Sequence, residues 1–164
     1  MNPSIKKNIE QNIKDSGIGI VGVFGNMPFS YSIGAKLSGY PDIFLPYIDI
    51  RMAQGLINQL FGLMKDGEIT EQCIVRGLIQ NDLDLALIKV DKAFSPFVKE
   101  GFTVQAGQYY ETETYDIYQV VIPDKFNRFP WNDAYEEFLS GDNYQKCYFY
   151  KDKIKTSNLP IINV

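Results

Sequence analysis

The stretch GIGIVGVFGNMPFSYSIG, from residue 17 to residue 34, decides the fold of this chain. An apolar run interrupted by glycine leads into a Gly-Asn turn signal and then into a clean alternation of apolar and polar residues. Ser30 and Ser32 fall on one face of this second segment. The apolar face carries Phe29, Tyr31 and Ile33. The stretch therefore predicts a β-hairpin with strands at about 17–24 and 29–33.

Outside the hairpin, apolar residues recur at helical spacing over residues 50–65, and Asp49 precedes them as an N-cap. A shorter amphipathic helix is predicted over residues 3–14. Hairpins together with segregated helices predict an α+β fold with a mostly antiparallel sheet, one long helix and shorter flanking helices. The further strands of this sheet are expected at 43–48, at 115–122, and in a second hairpin at 73–79 and 83–90.

The remaining patterns predict smaller elements. Residues 93–108 contain proline and glycine and are expected to form short helical pieces, and a short helix is expected over 132–139. The final residues, with Asn158 and Pro160, are expected to form a strand or an extended arm. No repeat, low-complexity segment or linker interrupts the sequence, so residues 1–164 are predicted to form a single domain.

The charge of the chain argues against nucleic acid as a partner. Its 16 basic and 20 acidic residues give a net charge of −4, whereas binding to phosphates needs clustered lysine and arginine. No apolar run is long enough for a signal peptide or a membrane span, so we expect a cytoplasmic protein without membrane contact. A local basic cluster near the C-terminus consists of Lys146, Lys151, Lys153 and Lys155.

The chain contains no histidine. Histidine is the commonest general acid or base near neutral pH and the commonest metal ligand. Serine–histidine catalysis, cysteine–histidine catalysis and imidazole zinc sites are therefore excluded within this chain. Two cysteines cannot supply an all-thiolate zinc site. We assign no catalytic residue, no metal and no cofactor, and we regard an enzyme as the less favoured class.

Five short segments in a fixed order give the chain its resemblance to a known family. They are PFSYSIG at 28–34, YPDI at 40–43, YY at 109–110, YQVVIPD at 118–124 and FPW at 129–131. In this order and spacing they resemble the family called domain of unknown function 4262, over about residues 17–138. The resemblance implies a small bacterial or phage-type protein with no established activity. It leaves residues 139–164 as a C-terminal extension.

Seven residues are candidate contacts for a ligand or a partner. The hydroxyls of Ser30 and Ser32 either face a ligand or face water, and the period-two alternation of their strand favours water. Tyr110 either stacks on a planar ligand or packs with its hydroxyl in water. The seven candidates are Ser30, Tyr31, Ser32, Tyr110, Asp124, Phe129 and Trp131.

The proline-bounded loop over residues 123–131 has two interpretations. In the first, it is a rigid platform that holds a carboxylate and aromatic rings over a pocket, because loops fixed by proline are good places for ligand contacts. In the second, Asp124 caps a turn while Trp131 covers the end of the sheet as an apolar plug. The sequence is compatible with both.

These features predict a non-enzymatic module that binds a partner protein or self-associates. Aromatic residues are concentrated near 126–131 and 144–150 and are of the types that dominate protein interfaces. The segment 144–150 is also a candidate to pair with a sheet edge, its own or a partner's. An inhibitor or an immunity-type protein is one version of this function.

The alternative is a small-molecule-binding enzyme with its site between strand 29–34 and loop 123–131. A closed pocket of about 300 Å3 or more at that place, with converging polar groups, would favour this alternative. A filled sheet face there would argue against it. The residues that would orient or protonate the substrate are Tyr31, Tyr110 and Asp124.

Overall fold

The computed structural model describes residues 1–26, 28–80, 82–94, 102–112, 114–136 and 146–164. The described strands are β1 (Gly19–Val23), β2 (Phe29–Ile33), β3 (Asp42–Pro46), β4 (Cys73–Arg76), β5 (Leu85–Lys89), β6 (Ile117–Val121) and β7 (Ile161–Asn163). The described α-helices are α1 (Pro3–Ser16), α2 (Ile50–Lys65) and α3 (Val104–Tyr110). Short 3-10 helices lie at Ala35–Ser38, Lys92–Phe94, Lys151–Lys153 and Thr156–Asn158.

The strands form one seven-stranded sheet in the order β1-β2-β3-β6-β5-β4-β7. Both predicted hairpins are present, since β1 pairs antiparallel with β2 and β4 pairs antiparallel with β5. However, β3 and β6 are parallel, and so are β4 and β7. The α+β class is confirmed, but the sheet is mixed and the prediction of a mostly antiparallel sheet is wrong. Parallel neighbours need long connections, and no local pattern reveals which distant segments they join.

The two longer helices have similar lengths, so the prediction of one long helix is also wrong. Helix α2 has 16 residues and begins at Asp49, whose side chain accepts hydrogen bonds from the N–H groups of Arg51 and Met52. Helix α1 has 14 residues and begins at Asn2, whose side chain accepts from the N–H of Ser4. Ile9 is the one buried residue of α1. The sequence predicts this helix over 3–14, two residues short of its end, because its last two residues are polar and do not mark it in the sequence.

Both faces of the sheet are covered. The apolar stripe of α2 packs on one face, against a cluster that includes Ile43, Leu45 and Val120. On the opposite face, α1 and α3 cover the half that contains β2 and β3. The other half of that face is covered by a cluster made of Ile74, Ala86, Ile88, Val121, Phe129, Phe149 and Leu159.

This double cover corrects one interpretation of strand β2. Ser30 is 0% exposed and Ser32 is 1% exposed, so the expectation that their hydroxyls face water is wrong. Period-two alternation separates the two faces of a strand, but it does not say whether the polar face lies under a helix. The residues Phe29, Tyr31 and Ile33 are buried as expected.

The C-terminal part departs further from the sequence patterns. Residues 132–136 contain a bend and a turn but no helix, and the N–H of Glu136 donates to the carboxylate of Asp124 and not to a helical carbonyl. Residues 137–139 lie outside the described residues. The expected terminal strand is present as β7, which pairs with β4. Of the segment expected to join a sheet edge, 144–145 lie outside the described residues and 146–150 form no strand. Over the described ranges, no helix is both long and apolar enough to cross a membrane.

Candidate functional site

A buried hydrogen-bond network is centred on Asp42, the first residue of β3, which is 2% exposed. Ser32 Oγ donates to Asp42 Oδ1 at 2.8 Å, and the hydroxyl of Tyr110 donates to Oδ2 at 2.6 Å. The N–H of Ala35 donates to Oδ1 at 3.3 Å. Both carboxylate oxygens therefore have partners, which is what a charge in the protein interior requires.

Ser32 and Tyr110 also accept hydrogen bonds and so extend the network. The N–H of Ile43 donates to Ser32 Oγ at 2.8 Å, and the N–H of Gly34 donates to the Tyr110 hydroxyl at 2.5 Å. Gly34 has a φ of +117°, and a Cβ at this position would lie 2.7 Å from Cγ1 of Ile13. A glycine is thus required for the backbone to reach the phenol.

The environment of Asp42 moves its ionisation toward neutral pH. Burial raises the pKa of Asp42 to about 6, against the opposing effect of the Tyr110 and Ser32 hydroxyls, the Ala35 N–H and the Lys36 ammonium. Burial, followed by the negative charge of Asp42, raises the pKa of Tyr110 above its ordinary value. The phenol therefore stays a donor, and the carboxyl is the group that gains or loses a proton in the physiological range.

Tyr31 lies on the same side of the sheet as Tyr110, in one apolar cluster. Its hydroxyl donates to Oε1 of Gln105 on α3, and burial raises its pKa above the ordinary value. Ser30 is different, because its Oγ is buried and has no hydrogen-bond partner among the described residues. Of the four candidates from β2 and α3, the structure joins Ser32 and Tyr110 directly through Asp42.

Asp124 organises its own loop. Its Oδ1 accepts from the N–H groups of Phe126 at 2.8 Å and Arg128 at 3.0 Å. Its Oδ2 accepts from Arg128 Nε at 2.8 Å and from the N–H of Glu136 at 2.9 Å. Burial by itself would raise the pKa of Asp124, but these donors outweigh it and lower the pKa to about 2. This geometry matches the interpretation of Asp124 as a turn-capping residue.

The aromatic residues of the same loop cover the sheet. The ring of Phe129 stacks on Trp131 with centroids 4.8 Å apart, and Trp131 meets Phe149 edge-on at 6.0 Å. Trp131 Nε1 donates to Oγ1 of Thr156 at 2.9 Å. Phe129 and Trp131 thus belong to a different apolar cluster from Tyr31 and Tyr110.

Residues 12–136 match the model of a family described as Domain of unknown function (DUF4262). The chain belongs to this family. No curated protein and no solved structure gave a match. Three of the DUF4262 segments meet at the network: 28–34 supplies Ser32, 40–43 supplies Asp42 and 109–110 supplies Tyr110. Strand β7 and residues 146–164 lie beyond the DUF4262 match.

Asp42 is the residue of this site that the sequence analysis missed. Asp42 follows Tyr-Pro, a pattern that is read as a turn entering a strand, and a turn aspartate is normally solvated. The available signal was its place within the DUF4262 segment at 40–43, next to a strand of apolar residues. Across the described residues, no three cysteine, aspartate or glutamate side chains are grouped as a metal site would need.

Proposed function

We propose that this protein is a non-enzymatic interaction module that binds a partner chain along the free edge of β1. Within the described part of the chain, β1 pairs with β2 on one side and is the terminal strand of the sheet. An edge strand presents unpaired N–H and C=O groups that another strand can complete. This open edge is the observation that carries the proposal.

The sequence of β1 supports this use of the edge. Natural edge strands are usually protected by charged residues, proline or shortness, and β1 reads Gly-Ile-Val-Gly-Val without any of these. The opposite edge, β7, has three residues and follows Pro160, so it is a poorer template. The two edges of the sheet therefore differ in the protection that their sequences provide.

Phe24 follows β1 directly and is 84% exposed. The strand before it packs closely on the start of α2, because a Cβ on Gly22 would lie 2.6 Å from Cγ2 of Ile50. An edge strand with an exposed ring at its end offers a partner both backbone pairing and an aromatic contact.

The polar groups of the site support a binding role more than an enzymatic one. Both oxygens of Asp42 and both oxygens of Asp124 accept hydrogen bonds from protein groups. The two halves of the alternative enzyme site, strand 29–34 and loop 123–131, contribute to different apolar clusters. A converging pair of groups around a substrate is therefore not the arrangement that these residues favour.

Self-association and binding of another protein both use the same edge under this proposal. One version is an inhibitor or immunity-type protein that acts on a bacterial or phage partner in the cytoplasm. The test below separates the two kinds of partner.

The test compares Phe24→Asp with Leu37→Asp. Both residues are exposed, and Leu37 lies at the other end of the β1–β2 hairpin. We expect the wild-type protein to form a dimer in sedimentation or to co-purify one partner in stoichiometric amount from its native lysate. Phe24→Asp should abolish that complex, because a charge beside the edge opposes strand addition, and Leu37→Asp should retain it. A wild-type monomer without a stoichiometric partner would contradict the proposal.

A further inference from the structure

A groove of about 350 Å3 opens between the end of β5 and the C-terminal segment. One wall is formed by Lys89 and Lys92, and the other by Tyr150 and Lys153. The walls are tied together, since the N–H of Asp91 donates to the backbone carbonyl of Tyr148 at 3.0 Å. The volume falls within the range of small-molecule sites, about 300–1,000 Å3.

The groove is positively charged although the chain is acidic. Three lysines and one aspartate line it, in a protein whose net charge is −4. Lys89 is engaged by Asp116, with Nζ 2.9 Å from Oδ2. Lys92 and Lys153 have no ion pair among the described residues, so their charges are available to an anion. With Asp91 counted, the lysines still leave the groove with a net positive charge, which raises the local concentration of anions.

An aromatic ring lies beside this charge. The side chain of Tyr150 is 40% exposed, and its ring packs against Phe94 with centroids 5.5 Å apart. The ammonium of Lys153 lies 4.2 Å from the centroid of the same ring. The ammonium therefore lies over the ring, and a ligand that enters the groove meets this cation together with the exposed part of the ring. The exposed part of Tyr150 is an apolar contact for a planar ligand.

We infer that this groove binds a small molecule that combines an anionic group with a planar aromatic ring, as a nucleotide does. The anionic group lies between Lys92 and Lys153, and the ring lies against Tyr150. Tyr150 and Lys153 belong to the segment beyond the family match, so the site is a property of this chain's extension. It is separate from the β1 edge and does not depend on a protein partner.

The test is a calorimetric titration with ADP, with adenosine and inorganic phosphate as the two separate parts of the probe. We expect ADP to bind more tightly than either part alone. Lys92→Gln and Lys153→Gln should each weaken ADP about 3- to 5-fold, the effect of one exposed charge. Tyr150→Leu should weaken ADP and leave phosphate unchanged. Raising the salt concentration should weaken ADP, because screening reduces the attraction of the lysines.

Lys14→Gln on α1 is the matched control, since it removes the same charge from an exposed position outside the groove. It should bind ADP as the wild-type protein does. The inference is overturned if ADP gives no binding at millimolar concentration, if phosphate or adenosine binds as tightly as ADP, or if Lys14→Gln weakens ADP as much as Lys92→Gln does. Binding of a single-stranded oligonucleotide without binding of ADP overturns it as well. The two groove lysines are tested separately, so failure of one variant to fold leaves the other decisive.

Discussion

Asp42 shows how one carboxyl joins segments that are distant in sequence. Its oxygens accept hydrogen bonds from Ser32 on β2, from Ala35 after that strand, and from Tyr110 at the end of α3. The cost of burying the charge is offset by these donors, but not fully, because burial still raises the pKa of Asp42 to about 6. The free energy of unfolding of the protein therefore depends on pH through the ionisation of this one residue.

The first prediction concerns Asp42→Asn. The pKa of Asp42 rises from 3.8 to about 6 on folding, so the folded protein binds the proton more tightly than the unfolded chain does. The associated stability is fully present only well below pH 3.8, and it is lost as the pH rises from there through about 6. From pH 4 to pH 7 the wild-type protein should lose about 2 kcal/mol relative to Asp42→Asn. Urea unfolding across this range measures the difference, and parallel curves would contradict it.

The second prediction concerns Tyr110→Phe. Removing the hydroxyl takes away a donor that lowers the pKa of Asp42, so that pKa should rise above its present value of about 6. The N–H of Gly34 also loses its acceptor, and the free energy of unfolding should fall by about 1–3 kcal/mol. A carboxyl carbon NMR titration measures the pKa, and urea unfolding measures the stability.

Tyr109→Phe is the control for this substitution. The ring of Tyr109 lies 5.6 Å from the ring of Tyr110, and its hydroxyl is not among the donors to Asp42. Tyr109→Phe should leave the pKa of Asp42 near 6. An equal rise of that pKa in both variants would show that packing, and not the Tyr110 hydrogen bond, sets the ionisation of the carboxyl.

At the scale of elements, the sequence predicted those structures that depend on residues close together in the chain. The β1–β2 hairpin, the α2 stripe and the Asp49 cap are all written in short stretches of sequence, and all are confirmed. The parallel strand pairs are not encoded in short stretches of sequence, because β3 meets β6 and β4 meets β7 only after distant segments have folded back. The same reason explains Asp42, whose burial depends on α3 arriving from far along the chain.

The third prediction concerns the attachment of β7. Gly77 has a φ of +95°, and a Cβ there would lie 2.5 Å from the backbone oxygen of Val164. Gly77→Ala therefore adds a clash with the last residue of the chain to the strain of a positive φ. We expect the substitution to weaken the pairing of β7 with β4. The N–H of Val164, which donates to the carbonyl of Arg76 at 3.0 Å, should then lose protection from hydrogen exchange.

Gly67→Ala separates the two effects. Gly67 has a φ of +79° with no heavy atom within 4 Å of an added Cβ, so alanine there brings strain alone, about 1 kcal/mol. Gly77→Ala should be more destabilising than Gly67→Ala, and only Gly77→Ala should change the exchange rate of the Val164 N–H. Equal effects on that amide would rule out the steric explanation.

At the scale of the whole molecule, the segment beyond the family match completes the core. Tyr148, Phe149 and Leu159 are all buried, and they pack on the face of the sheet opposite α2. Burial of one such side chain contributes about 1.5–3 kcal/mol, whereas a whole domain is stable by about 5–15 kcal/mol. The sequence placed 139–164 outside the resemblance, but it gave no sign that these residues fill the core, because aromatic residues in a tail suit an interface equally well.

The fourth prediction compares two truncations. A chain that ends at Pro160 loses β7 alone, and it should remain folded with a lower midpoint of thermal unfolding. A chain that ends at Glu136 also loses the three buried side chains, and the loss of about 4–9 kcal/mol should leave no cooperative transition. Differential scanning calorimetry measures both. A cooperative transition in the shorter chain would show that residues 1–136 are stable by themselves.

Trp131 is the one tryptophan of the chain, and it stands where the matched region meets the C-terminal segment. Its indole stacks on Phe129 and donates to Thr156, so undocking of that segment removes a hydrogen bond and admits water to the ring. The intrinsic fluorescence of the protein is thus a built-in optical reporter of this one contact. Its emission maximum will follow C-terminal docking in real time, without any label.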